Sequence, residues 1–163
     1  MTATEPWQWG DLFELDVPRD ASAHDLGEMV ELRFGRGDTP LLLAAFAPLS
    51  DPPETAVREA LERFAATRGF AEAKRGLELS RDPYGIVAGR ISFITDLHWM
   101  ALAVAWHHGA AAGQSSALVI AFSAGSSDDD PIFEHAENLF STLRPLDHIR
   151  PEARPFEDPE GDF

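Results

Sequence analysis

The stretch His98–His108 carries apolar side chains at both parities, and this limits what the chain can fold into more than any other feature. Even positions hold Met100, Leu102, Val104 and Trp106, while odd positions hold Trp99, Ala101, Ala103 and Ala105. Successive side chains of a strand point to opposite sides, so this strand is apolar on both. Ser116–Ser123 repeats the arrangement, with Leu118, Ile120 and Phe122 set against Ala117, Val119 and Ala121. Leu41–Ala47 places Leu41, Leu43, Ala45 and Ala47 opposite Leu42, Ala44 and Phe46. A sheet with helices on one face should alternate apolar and polar, because its second face meets water. These three strands need cover on both sides.

The remaining segments supply candidates for that cover. Phe13–Val17 alternates before Pro18 and reads as a half-buried edge strand. Met29–Phe34 and the apolar run from Leu41 form a hairpin across the turn residues Gly35-Arg36-Gly37-Asp38-Thr39-Pro40. A helix follows, with Asp51 as N-cap, Pro52 in the first position and Glu54 closing a capping box. Its stripe is Val57, Ala60, Leu61, Phe64 and Ala65, and Gly69 ends it in left-handed geometry. After Leu77–Leu79, Asp82-Pro83-Tyr84-Gly85 fits a type I turn. A meander of about 86–95, 98–107 and 116–123 comes next, its last two strands joined by the Gly109–Gly113 loop. A second helix begins at Asp130-Pro131, carries Ile132, Phe133, Ala136, Leu139, Phe140 and Leu143 on one stripe, and stops at Pro145. The order predicts an α+β fold: an antiparallel sheet of about six strands with two main helices packed mainly on one face.

At 163 residues the chain is one domain with tails. Residues 1–11 read as a flexible lead, 12–146 as a single α+β domain, and 147–163, with Pro151, Pro155 and Pro159 among charges, as a flexible acidic tail. Thirteen basic against 28 acidic residues give a net charge of −15. The segment 151–163 holds five acids and one base, so the body still carries −11. Such a surface repels phosphate backbones and anionic lipids and favours a basic protein partner, which argues against nucleic acid. Cysteine is absent, which excludes disulfides, thiolate catalysis and cysteine-ligated zinc. With no positively charged start leading an apolar run, and no membrane-spanning stretch, the chain is expected to be cytoplasmic and not inserted in a membrane.

No catalytic or metal constellation stands out, and neither catalytic residues nor a cofactor is expected. His107 and His108 are adjacent on a strand and point apart, so they cannot share one metal. His98 and His135 read as partners in edge hydrogen bonds. Gly113-Gln114-Ser115-Ser116-Ala117 lacks the following helix that a nucleophile elbow requires. The loop Gly35-Arg36-Gly37-Asp38 lies between strands, where it cannot cradle phosphate at a helix start. Asp128-Asp129-Asp130 has an electrostatic role at a helix N-terminus and no calcium-loop pattern around it.

The apolar strands carry the functional expectation. The larger side chains suit a helix-covered core, and the smaller set would form an apolar trough around Trp99, Ala101, Ala103, Ala105, Val119 and Ala121. The cover is either the protein's own two helices, one per face, or a second copy, or a foreign apolar segment. Burying each large side chain is worth about 1.5–3 kcal/mol, and large bare apolar patches usually mark interfaces. If the trough is an interface, Ala103→Arg abolishes partner binding and spares the fold.

The linear pattern from Leu12 to Leu146 resembles the PsbP-like α+β superfamily and, within it, the DcrB-related group. The resemblance is carried by a first strand closing in proline, Phe13-Glu14-Leu15-Asp16-Val17-Pro18, and by a helix closing in Arg68-Gly69-Phe70. It continues through the three-strand meander to a last helix ending Leu139-Phe140-Ser141-Thr142-Leu143-Arg144-Pro145. It implies a non-enzymatic, homodimeric chaperone or adaptor of the Eag type, which escorts a type VI secretion effector by holding its hydrophobic, helical segment. Two other functions fit the residues: an acidic immunity-type inhibitor of a basic toxin, and a small-ligand-binding protein.

Overall fold

A computed structural model of the chain describes residues 4–34, 39–70, 77–83, 85–107 and 116–146. The Gly35–Asp38 turn, Tyr84, the Gly109–Gly113 loop with Gln114 and Ser115, His108, and the expected acidic tail 147–163 lie outside the described residues. The strands are β1 (Thr4–Trp9), β2 (Phe13–Pro18), β3 (Ala21–Asp25), β4 (Val30–Phe34), β5 (Leu41–Leu49), β6 (Glu78–Arg81), β7 (Val87–Ile94), β8 (His98–His107), β9 (Ser116–Gly125) and β10 (Arg144–Pro145). The helices among the described residues are α1 (Pro53–Thr67) and α2 (Pro131–Phe140). The fold is α+β and antiparallel. Its main sheet has seven strands in the order β3-β4-β5-β9-β8-β7-β6, and a smaller sheet has the order β1-β2-β10.

Register explains how the doubly apolar strands are used. On one face, Leu79, Gly89, Ala103, Ile120 and Ala44 form a continuous cross-strand row. The next rows are Val87, Ala105, Leu118 and Phe46, and Ile91, Ala101, Phe122 and Leu42. In each row β8 contributes alanine and β9 a large residue, and in the central row β7 contributes Gly89, so the small residues form a shallow channel beside the bulkier side chains of β9. Helix α1 sits in this channel with Val57, Leu61, Phe64 and Ala65 buried on it. Gly89 lets it come close, since a Cβ there would lie 2.5 Å from Val57 Cγ1 and 2.9 Å from Leu61 Cδ1.

The opposite face carries Met100, Leu102, Val104 and Trp106 of β8 beside Ala117, Val119 and Ala121 of β9, with Leu41 and Leu43 of β5. It is covered by Phe13, Leu15 and Val17 of β2 and by Ile132, Ala136 and Leu139 of α2. The two helices therefore lie on opposite faces, contrary to the expectation that both pack mainly on one. The sequence pattern shows that each helix has an apolar stripe, but not which face of the sheet receives it.

Other differences are local. The expected flexible lead is β1, paired with β2 along Thr4–Trp9, because Trp7 and Trp9 pack edge-on to each other and against Phe13. Strand β2 alternates buried and half-buried as read, but lies between β1 and β10 rather than at an edge. The side chain of Asp51 does not cap α1: Pro52 precedes the first turn with no side-chain cap, and Glu54 instead pairs with Arg58 and Arg81. Gly69 does end α1, at φ +86°, with Gly69 N–H donating to Ala66 O and Phe70 N–H to Ala65 O. Asp130 caps α2 by accepting from Ile132 N–H at 3.0 Å.

Candidate functional site

The six residues expected to form one apolar trough do not share a surface. Ala101, Ala103 and Ala105 are fully buried beneath α1, whereas Val119 and Ala121 are buried on the other face beneath β2 and α2. The antiparallel register places Ala103 opposite Ile120, not opposite Val119. Small side chains on one strand thus meet large ones on the next, and at these positions both faces are buried by the chain's own elements. Among the six, only Trp99 reaches an accessible region.

That region is a cleft of about 500 Å³ at the end of β7 and β8, where the cover supplied by α2 stops. It is lined mostly by apolar side chains, among them Phe93, Ile94, Trp99, Met100 and Phe133, with Arg90, Ser92, His98 and Asp128 as the polar groups. Parity places Ser92, Ile94, His98 and Met100 on the face shared with α2, because Ser92 pairs with Met100 and Ile94 with His98. Strand β7 alternates strictly, with Val87, Gly89, Ile91 and Phe93 buried and Arg90, Ser92 and Ile94 exposed. Ile94 is 64% exposed, and Leu97 on the following turn is 38% exposed.

The rim is built from stacked aromatic rings. Phe70 stacks on Phe93 with ring centroids 4.8 Å apart, and Phe93 stacks on Trp99 at 6.4 Å. The Gly69 turn folds Phe70 back into this stack, and Trp99 Nε1 donates to Thr95 Oγ1 at 3.0 Å, tying the stack to the β7–β8 turn. Arg68 closes the neighbouring surface, its guanidinium 3.9 Å from the centre of the Phe64 ring and 5.0 Å from Trp99. Across the cleft Arg90 pairs with Glu137 of α2 at 2.7 Å.

Carboxylates surround the same end of the sheet. Asp96 lies on the β7–β8 turn, and Asp128 and Asp129 on the loop from β9 into α2; all three are exposed. The Asp129 carboxyl is held below its ordinary value, first by the Ser127 hydroxyl that donates to it, then by its own backbone N–H and the charge of nearby His98.

Among the described residues no group of three metal-ligating side chains comes together. His135 stacks on Phe34 at 4.8 Å rather than meeting a strand edge, and His98 borders the cleft. A second cleft, of about 360 Å³, opens beside His135 and Asn138. Its Asp16 is already engaged by Arg144 at 2.8 Å. The first cleft was not legible in the sequence. Its one local signal was the alternation Arg90, Ser92, Ile94, in which an isoleucine occupies a position otherwise polar.

No family model matches the chain, and no curated protein matches it. Among solved structures, a protein from Bacteroides thetaiotaomicron VPI-5482 is similar at a TM-score of 0.55 and 12% sequence identity, covering 89% of this chain. This chain spans about half, 49%, of that protein's length. No helix among the described residues is long and apolar enough to cross a membrane. The likeness extends to the fold and no further.

Proposed function

We propose that the protein is a non-enzymatic binding protein, an adaptor or chaperone that holds an apolar segment of a protein partner in the cleft beside Ile94. The supporting observation is the 64% exposure of Ile94 next to a cleft walled by Phe93, Met100 and Phe133. An apolar side chain so placed returns about 1.5–3 kcal/mol when a partner covers it. The doubly apolar strands no longer contribute to this reading, since the chain's own elements cover them. The resemblance to the DcrB-related group extends the reading to a cytoplasmic, homodimeric escort of a secreted type VI effector.

The test compares the wild type with Ile94→Asp, a change at an exposed position that leaves the core untouched. Partners retained by the immobilised full-length chain are identified, and the apolar segment of each is titrated as a synthetic peptide. Saturable binding that weakens at least about tenfold in Ile94→Asp, with unchanged thermal stability, supports the proposal. Equal binding by both proteins overturns it.

A second reading has the cleft hold a small apolar ligand, which its volume favours, since small-molecule sites occupy about 300–1,000 Å³. Native mass spectrometry distinguishes the two. A copurifying small molecule that Ile94→Asp releases favours the ligand.

A further inference from the structure

We infer that the segment held at the cleft is cationic, an apolar anchor flanked by lysine or arginine; this rests on the binding role proposed above and names the chemistry of its partner. The apolar anchor follows from Ile94, Met100 and Phe133. The charge follows from what surrounds them. Asp96 is two residues beyond Ile94, Asp128 lines the cleft, and Asp129 is beside it, all three exposed. These carboxylates come from two segments far apart in sequence, the β7–β8 turn and the loop entering α2. Pairing of His98 with Gly125 brings both segments to one end of the sheet.

None of the three appears in an ion pair with an arginine or lysine of the chain among the described residues. The arginine that lines the cleft, Arg90, is already matched by Glu137. Asp130 is different, because its carboxylate is used in capping α2. Among the described residues the cleft is thus an apolar trough with three carboxylates at its mouth that no arginine or lysine pairs with, Asp129 having the charge of His98 nearby. An anionic or neutral segment would gain only the apolar contact, whereas a basic flank would gain that contact and neutralise the rim. The body's excess of acids adds a long-range field of the same sign, which speeds the approach of a cation.

The experiment titrates the full-length protein, followed by tryptophan fluorescence, with three peptides that share one leucine- and phenylalanine-rich core and carry lysine, serine or glutamate flanks. At about twofold per exposed charge pair, three carboxylates favour the lysine-flanked over the serine-flanked peptide by about eightfold at low salt. This preference should largely vanish between about 0.05 and 0.5 M salt. The triple variant Asp96→Asn, Asp128→Asn, Asp129→Asn should lose the preference, read as the ratio of its own affinities for the lysine- and serine-flanked peptides, and a retained ratio of about eightfold would refute the role of these carboxylates. If all three peptides bind equally and Ile94→Asp weakens all of them, the cationic partner is refuted and the apolar cleft stands. If the lysine-flanked peptide binds and Ile94→Asp has no effect, attraction is electrostatic alone and both readings fail. If no peptide binds at either salt concentration, the apolar-segment reading fails along with this inference.

Discussion

Ala103→Arg separates a core strand from a docking surface. Ala103 is fully buried at the centre of the row Leu79, Gly89, Ala103, Ile120, Ala44, directly under α1. Gly89, its neighbour in β7, already lacks room for a methyl group because Val57 and Leu61 press on that part of the sheet. An arginine at 103 would have to displace the helix or bury its guanidinium without a carboxylate. Overpacking costs about 1–3 kcal/mol, and an uncompensated buried charge adds about 3–5 kcal/mol. The sum of about 4–8 kcal/mol is comparable with the total stability of about 5–15 kcal/mol expected for a domain of this kind. The variant should therefore be unfolded or close to it. Urea denaturation followed by far-ultraviolet circular dichroism and by tryptophan fluorescence reads this directly, because Trp99 and Trp106 flank the site along β8. Ala103→Ser, with almost the same volume, should stay cooperative, and Ile94→Asp at the exposed cleft should keep its midpoint. A cooperatively folded Ala103→Arg with an unchanged midpoint would refute the seating of α1 on the β8 alanines and restore that face as a free surface.

The remaining expectations concern single contacts. Gly89→Ala should cost about 1–3 kcal/mol, and adding Val57→Ala should recover part of it; additive effects in a double-mutant cycle would deny the close approach. Asp130→Ala removes the acceptor of Ile132 N–H and should lower stability by about 1 kcal/mol with no change in denaturant slope; a neutral result would show that the cap is dispensable. The Asp16 carboxyl is held below its ordinary value of 3.8, chiefly by its hydrogen bond to Arg144. The unfolded chain thus binds a proton there before the folded one does, so this contribution is complete above about pH 4 and declines as the pH falls further. Arg144→Gln should flatten that acid limb in stability measured against pH, and an unaltered limb would mean that the pair joining β2 and β10 contributes nothing.

Much of the architecture is local enough to read in one dimension. The meander from β7 to β9, the apolar stripe of α1, its end at Gly69 and the start of α2 at Asp130 all depend on residues within a few positions of each other. Strands β1, β3, β6 and β10 were missed because their signals are weak without a partner: β3 is Ala-Ser-Ala-His-Asp and mostly exposed, β6 is four residues long, and β10 is two residues long. What required cover on both faces of β8 and β9 was present in the sequence, as alternation is a property of each strand alone. Which small residues join which large ones was not, because Ala103 meets Ile120 through a pairing 17 positions apart, and a shift of one residue exchanges the two faces. Dense packing favours the register in which alanine faces a bulky neighbour, and that register turned an apparent trough into the seat of a helix. The cleft at Ile94 arises in the same way. It exists because α2 docks across β8 and β9 and leaves Ser92 and Ile94 at the end of β7 uncovered on that face, a consequence of where a helix lands rather than of any motif along the chain.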